Sequence, residues 1–206
     1  MPSEIQPQLY LISPPEIDLT GFGLVLAGIL DTVPVACMRL SLVSKDEDKV
    51  ARAADHLREI CHARDVALVI TDHFRMVERL GLDGCHLSDG GKNLRAVRKE
   101  LGPDAIIGCY CGTSRHAGLT AGEAGADYVS FGPMTPSNLG DGSVADIETF
   151  AWWSEMIEVP IVAEGGLTVA KMAELQSITD FIAIGPEIWA ADAPLDALQA
   201  LIKPLQ

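Results

Sequence analysis

The stretch from Ala67 to Leu87 reads ALVITDHFRMVERLGLDGCHL, and it decides the fold. Ala67-Leu68-Val69-Ile70 is an apolar run with no polar alternation, the pattern of a strand covered on both faces. From Phe74 the spacing becomes helical, and Gly81-Leu82-Asp83-Gly84 then supplies a small-residue turn. Gly84 to Leu87 starts a second strand. A strand, a helix and a strand in this order describe a parallel sheet carrying crossover helices.

The same unit recurs in both directions. Strands are predicted at Leu9 to Ile12, Val35 to Leu42, Ala67 to Ile70, Gly84 to Leu87, Ile106 to Cys109, Tyr128 to Phe131, Ile161 to Ala163 and Phe181 to Ile184. Asp46 to Ala63 is an amphipathic helix, with Val50, Ala53, Ala54, Leu57, Ile60 and Cys61 on one face. Further helices are predicted from near Phe74, Asn93, Ser114, Asp146, Val169 and Leu195, with a less regular connection after Asp18. Eight βα units predict a single (β/α)₈ TIM barrel over residues 1–206, at the small end for that α/β fold. No GxGxxG follows the first strand, which disfavours a doubly wound sheet.

Acidic residues outnumber basic ones 29 to 15, giving a formal charge of −14 that disfavours nucleic acid and anionic membranes as partners. The basic cluster Lys92, Arg95, Arg98 and Lys99 has the spacing of a solvated helix face. Met1 to Pro7 lacks a signal-like pattern, and no apolar run is long enough to span a bilayer, so a cytoplasmic protein is expected. Cys37, Cys61, Cys85, Cys109 and Cys111 contain no CxxC pair, which argues against a zinc or disulfide framework.

In a barrel of this kind the chemistry gathers at the carboxyl ends of the strands. That filter selects Arg39, Ser41, Thr71 to His73, His86, Asp89, Cys111, the loop from Gly132 to Gly142, Glu164 to Leu167, and Gly185 with Pro186. Each has a plainer reading. Asp72 could cap the helix after it, Glu164 could answer a helix dipole, and His86 could be a core histidine bonded to backbone. His56 and His62 are expected in solvent, the thiols as inert packing, and Trp152 and Trp153 as a helix packing face.

Several segments, in order and spacing, carry a family resemblance: Leu9-Tyr10-Leu11, Arg39, Ile70-Thr71-Asp72, Gly84-Cys85-His86-Leu87, Gly125-Ala126-Asp127-Tyr128, Phe131-Gly132-Pro133 and Val162-Ala163-Glu164-Gly165-Gly166-Leu167. Over nearly the whole chain the sequence resembles thiamine-phosphate synthase and its thiazole tautomerase relatives. The resemblance implies coupling of hydroxymethylpyrimidine diphosphate to a thiazole phosphate, with magnesium and release of diphosphate. It implies that Arg39 and Asp72, with Asp89 and Mg²⁺, hold the diphosphate. It also implies that Gly165, Gly166, Gly185 and Ser137 hold the phosphate of the thiazole. Asp72 and Asp89 are expected to share the metal. The partners implied are phosphorylated pyrimidine or thiazole compounds, with a homo-oligomer left open.

The chain also departs from the pattern. Cys37 and Ser41 stand where the family has glutamine and lysine, Leu139 and Gly140 where it has threonine and lysine, Gly91 where it has its second metal aspartate, and Pro186 where it has serine. A non-catalytic phosphate-binding or regulatory barrel is therefore an alternative. A tautomerase-like isomerase is another, although no histidine falls between Cys111 and Thr113.

Overall fold

The computed structural model describes residues 6–206, so most of the stretch from Met1 to Pro7 lies outside the described residues. Eight parallel strands close into a barrel in sequence order: β1 (Gln8–Ile12), β2 (Cys37–Leu40), β3 (Ala67–Thr71), β4 (Gly84–Leu87), β5 (Ile106–Tyr110), β6 (Tyr128–Phe131), β7 (Ile161–Glu164) and β8 (Phe181–Ile184). Tyr10 pairs with Cys37 on one side and Ala183 on the other, which closes the ring. The predicted (β/α)₈ architecture is the observed one, and every predicted strand is present. β2 is shorter than the predicted Val35 to Leu42.

The strands alternate with α1 (Leu19–Thr32), α2 (Glu47–His62), α3 (Met76–Leu80), α4 (Leu94–Leu101), α5 (Arg115–Glu123), α6 (Ile147–Met156), α7 (Val169–Leu175), α8 (Pro186–Trp189) and α9 (Pro194–Leu201). The connection after Asp18, expected to be irregular, is instead a helix of 14 residues whose first turn is capped by the Asp18 carboxylate. Its glycines and all-round apolar character hide the helical period. Gly23 shows why one of them is needed: a Cβ there would lie 2.5 Å from His56 Nε2 on α2. His56 is thus packed between helices, with a buried Nε2 that has no hydrogen-bond partner among the described residues, and not solvated as expected.

Two apolar regions follow from the alternation of side chains along each strand. Outward residues such as Leu11, Met38, Leu68, Ile107 and Ile182 are buried beneath the helices. Inward residues Tyr10, Cys37, Val69, Tyr128, Val162 and Ala183 fill the barrel. Gly108 makes room for them, because a Cβ there would lie 1.9 Å from the Tyr128 ring. Trp153 packs into the outer layer and donates from Nε1 to the Val159 carbonyl at 2.7 Å, whereas Trp152 carries the Arg115 guanidinium 5.2 Å from its ring centre. Arg98, expected in solvent, reaches down to the carbonyls of Gly102, Ala105 and Gly125 and to Asp127, tying α4 to the turn before β6. All five thiols are free and buried. Among the described residues, no helix is long and apolar enough to cross a membrane.

Candidate active site

A charged cluster sits inside the upper half of the barrel. Arg39 on β2 points inward between the outward-facing Met38 and Leu40, and only 6% of it is exposed. Its Nη2 donates to Oε2 of Glu164, the last residue of β7, in a buried ion pair. Ser130 on β6 donates to Glu164 Oε1 at 2.8 Å, and His86 Nε2 on β4 lies 4.0 Å from the same oxygen. Burial disfavours the Arg39 cation, but the Glu164 carboxylate and the Tyr10 and Tyr128 hydroxyls together outweigh it and hold the guanidinium pKa above its usual value. Among the described residues, Arg39 Nε and Nη1 are buried without hydrogen-bond partners.

The cluster continues downward through His86 Nδ1 and the Tyr128 hydroxyl, 2.9 Å apart, to the Tyr10 hydroxyl, 2.7 Å further on. Burial, followed by the charge on Arg39, lowers the His86 pKa well below its ordinary value, so the ring is neutral. Burial raises both tyrosines well above theirs. His86 is therefore a buried histidine, as its plainer reading expected, but its partner is a tyrosine side chain instead of backbone. Glu164 answers Arg39 and not a helix dipole.

Above this cluster lies a cavity of about 710 Å³, bordered by Arg39, Ser41, Ser137, Glu164, Gly165 and Gly166, with Ile12, Leu139 and Ala183 as apolar walls. Gly165 and Gly166 adopt left-handed backbone, with φ of 81° and 65°. A Cβ at Gly166 would lie 2.3 Å from Thr135 Oγ1, so only glycine allows the two loops to close on each other. Two residues not singled out from sequence shape the site. One is Ser130. The other is Glu187, whose carboxylate accepts from the amides of Leu167 at 3.1 Å and Gly185 at 2.8 Å. The Gly185 amide is therefore already engaged. The strand-end filter stopped at Pro186, one residue short of Glu187.

Asp72 lies apart from this cavity. It borders a separate hollow of about 440 Å³ with His73, Arg75 and Arg79. Its backbone is left-handed, with φ of 59°, and its carboxylate accepts from the amide and hydroxyl of Ser88 at 2.8 and 2.5 Å. Asp89 accepts from the Gly91 amide at 3.2 Å and the Asn93 side chain at 3.3 Å. Among the described residues, no three of histidine, cysteine, aspartate and glutamate gather as metal ligands. Magnesium commonly takes one or two carboxylates and completes its shell with water and substrate phosphates. Asp72 and Asp89 follow the neighbouring strands β3 and β4, and the carboxylate oxygens of each already accept from adjacent donors. Tyr110 donates to the Gly132 carbonyl at 2.7 Å, and a Cβ at Gly140 would lie 2.7 Å from its hydroxyl, so Tyr110 fills the space beside the position where the resemblance expects lysine. Cys111 is buried, and its contact with Cys109 followed by burial raises its pKa, which makes it an inert thiol.

The fold and this rim define a barrel protein with a cavity at the carboxyl ends of its strands. Residues 9–188 match the family described as thiamine monophosphate synthase. The chain is 41% identical to a thiamine-phosphate synthase of Rhodospirillum centenum, over 88% of this chain and 89% of that one. It is 38% identical to one of Erythrobacter litoralis, over 92% of each. A thiamine phosphate pyrophosphorylase from Pyrococcus furiosus has the same fold, with a TM-score of 0.83 at 21% identity, covering 98% of this chain and 96% of that one. The chain belongs to the thiamine monophosphate synthase family.

Proposed function

We propose that the protein is a transferase of thiamine biosynthesis that joins hydroxymethylpyrimidine diphosphate to a thiazole phosphate and releases diphosphate. One observation carries the reading beyond family membership. Arg39, Ser137 and the Gly165-Gly166 pair, far apart in sequence, border one cavity of a size suited to such ligands.

In this reading the pyrimidine lies on the floor beside Arg39, and the thiazole phosphate lies against Gly165, Gly166, Gly185 and Ser137. Asp72 and Asp89 would hold magnesium, whose charge offsets that of the departing diphosphate. The bond between the pyrimidine methylene and the diphosphate oxygen breaks with its electrons leaving on oxygen, and the thiazole nitrogen supplies the pair for the new carbon–nitrogen bond. The cavity walls orient the two rings and keep water from the reactive carbon. The cytoplasm is the compartment this reading assigns.

A second reading, a non-catalytic binding barrel, is favoured by one specific contact: Glu187 already occupies amides at the phosphate wall. Incubation of the protein with both substrates and magnesium separates the two. Product and diphosphate in equal amounts support the transferase. Binding without product supports the second reading.

A further inference from the structure

Helix α1 has the composition of a helix whose outer face is covered. From Leu19 to Leu30 it contains no charged residue, whereas the neighbouring α2 exposes Asp48, Asp55 and Glu59. Gly21, Leu24, Val25 and Gly28, spaced so that they are neighbours on a helix surface, share its exposed face. Leu24 is 74% exposed, more than any other large apolar side chain among the described residues, and Val25 beside it is also exposed. A helix that is apolar on all sides normally lies buried.

Gly28 serves no contact within the chain. Gly23, on the inner face, makes room for His56, but a Cβ at Gly28 would meet nothing within 4 Å among the described residues. Glycine inside a helix is less favourable than alanine, so a glycine that relieves no crowding here points to the close approach of a backbone from outside. The outer face thus carries a knob, Leu24, and a hole, Gly28, one turn apart.

Charge decides what covers this face. The net charge of −14 draws a basic partner to the carboxylates elsewhere on the surface and repels an anionic membrane. Two copies of the chain also repel each other, and they meet at least cost where charges are absent. A knob and a hole on one helix complement an identical helix running antiparallel. With a two-fold axis level with Leu26, Leu24 of each copy enters the space above Gly28 of the other.

We propose that α1 is the interface of a homodimer, packed against α1 of a second copy about a two-fold axis. On its inner side the Phe22 ring lies edge-on to Trp189 at 5.1 Å, and Trp189 Nε1 donates to the carbonyl of Ile12, which borders the cavity, at 2.6 Å. The contact therefore braces the helix behind one cavity wall and leaves the mouth open.

Sedimentation equilibrium of the full chain over about 1 to 100 μM, a range that brackets micromolar affinity, tests this. The wild-type protein is expected at twice the chain mass of 22.0 kDa at the top of that range. L24E, which adds a carboxylate from each copy to the contact, is expected to be monomeric with an unchanged circular dichroism spectrum. M156E, at a similarly exposed apolar side chain on α6, stays dimeric. G28A is expected to weaken the dimer at least tenfold while raising the melting temperature of the dilute protein. Sodium chloride raised from about 0.05 to 0.5 M is expected to tighten the dimer, because salt screens the repulsion between copies. A wild-type protein that stays monomeric at the highest concentration overturns the proposal and needs no variant to fold. L24E or G28A as firmly dimeric as wild type also overturns it. So does dissociation of M156E, or a dimer that salt weakens, which would mark an interface of ion pairs.

Discussion

Glu187 concentrates the chemistry of the wall proposed to hold phosphate in one side chain. Its two oxygens accept from Leu167 and Gly185, amide donors of the kind an anion at this wall would use. Removing the carboxylate frees those donors and takes away a like charge. We expect E187A to bind inorganic phosphate at least tenfold more tightly than wild type by calorimetry, a difference of about 1.4 kcal/mol. Unchanged or weaker binding would reduce Glu187 to a cap on α8. His86 makes a separate prediction. Burial lowers its folded-state pKa below the ordinary histidine value of about 6.5, so the native protein binds fewer protons there than the unfolded chain. The stability this contributes is present above about pH 6.5 and is lost as pH falls below that value toward the depressed folded-state pKa. Thermal melting between about pH 5 and 7.5, on either side of the unfolded-state pKa, should show the decline in wild type and a shallower one in H86Q. Parallel curves for the two proteins would assign the decline to other groups.

Elements differ in how openly the sequence displays them. The strands are legible because burial on both faces leaves runs such as Ala67 to Ile70 with no polar residue. Helix α2 is legible from its one-sided apolar face and from Asp46 at its cap. Helix α1 is not, since its glycines and all-round apolar character hide the helical period, and one of them, Gly23, answers to close packing against α2 and not to helical propensity. The site divides the same way. Arg39 stands out as a charge within an apolar strand, whereas its partner Glu164 lies 125 residues away and meets it only because the barrel closes. Gly108 on β5 shows the same dependence on a distant element, as its missing side chain is the space that Tyr128 on β6 fills. We expect G108A to destabilise the barrel by about 3 kcal/mol, the upper part of the range for an overpacked core, read as a lower denaturant midpoint. A midpoint within error of wild type would mean that the two tyrosines have room to move.

For the molecule as a whole, a formal charge of −14 sets the electrostatic problem. Two negatively charged substrates must approach a negatively charged protein, and Ser41 and Gly140 supply no cation where the resemblance expects lysine. In the proposed reaction, compensation would fall to magnesium held by Asp72 and Asp89. D72N should lower turnover on the order of 10² to 10³-fold, the usual cost of losing one charge-stabilising group, while leaving binding of the unphosphorylated pyrimidine unchanged. Equal rates for D72N and wild type across a magnesium titration would remove Asp72 from the mechanism. Whether this barrel is a transferase and not only a receptor for its ligands is read from the coupling reaction itself. Purified wild-type protein, given hydroxymethylpyrimidine diphosphate, thiazole phosphate and magnesium, should release diphosphate and thiamine phosphate in equal amounts. Folded protein that binds both substrates and forms neither product would contradict it.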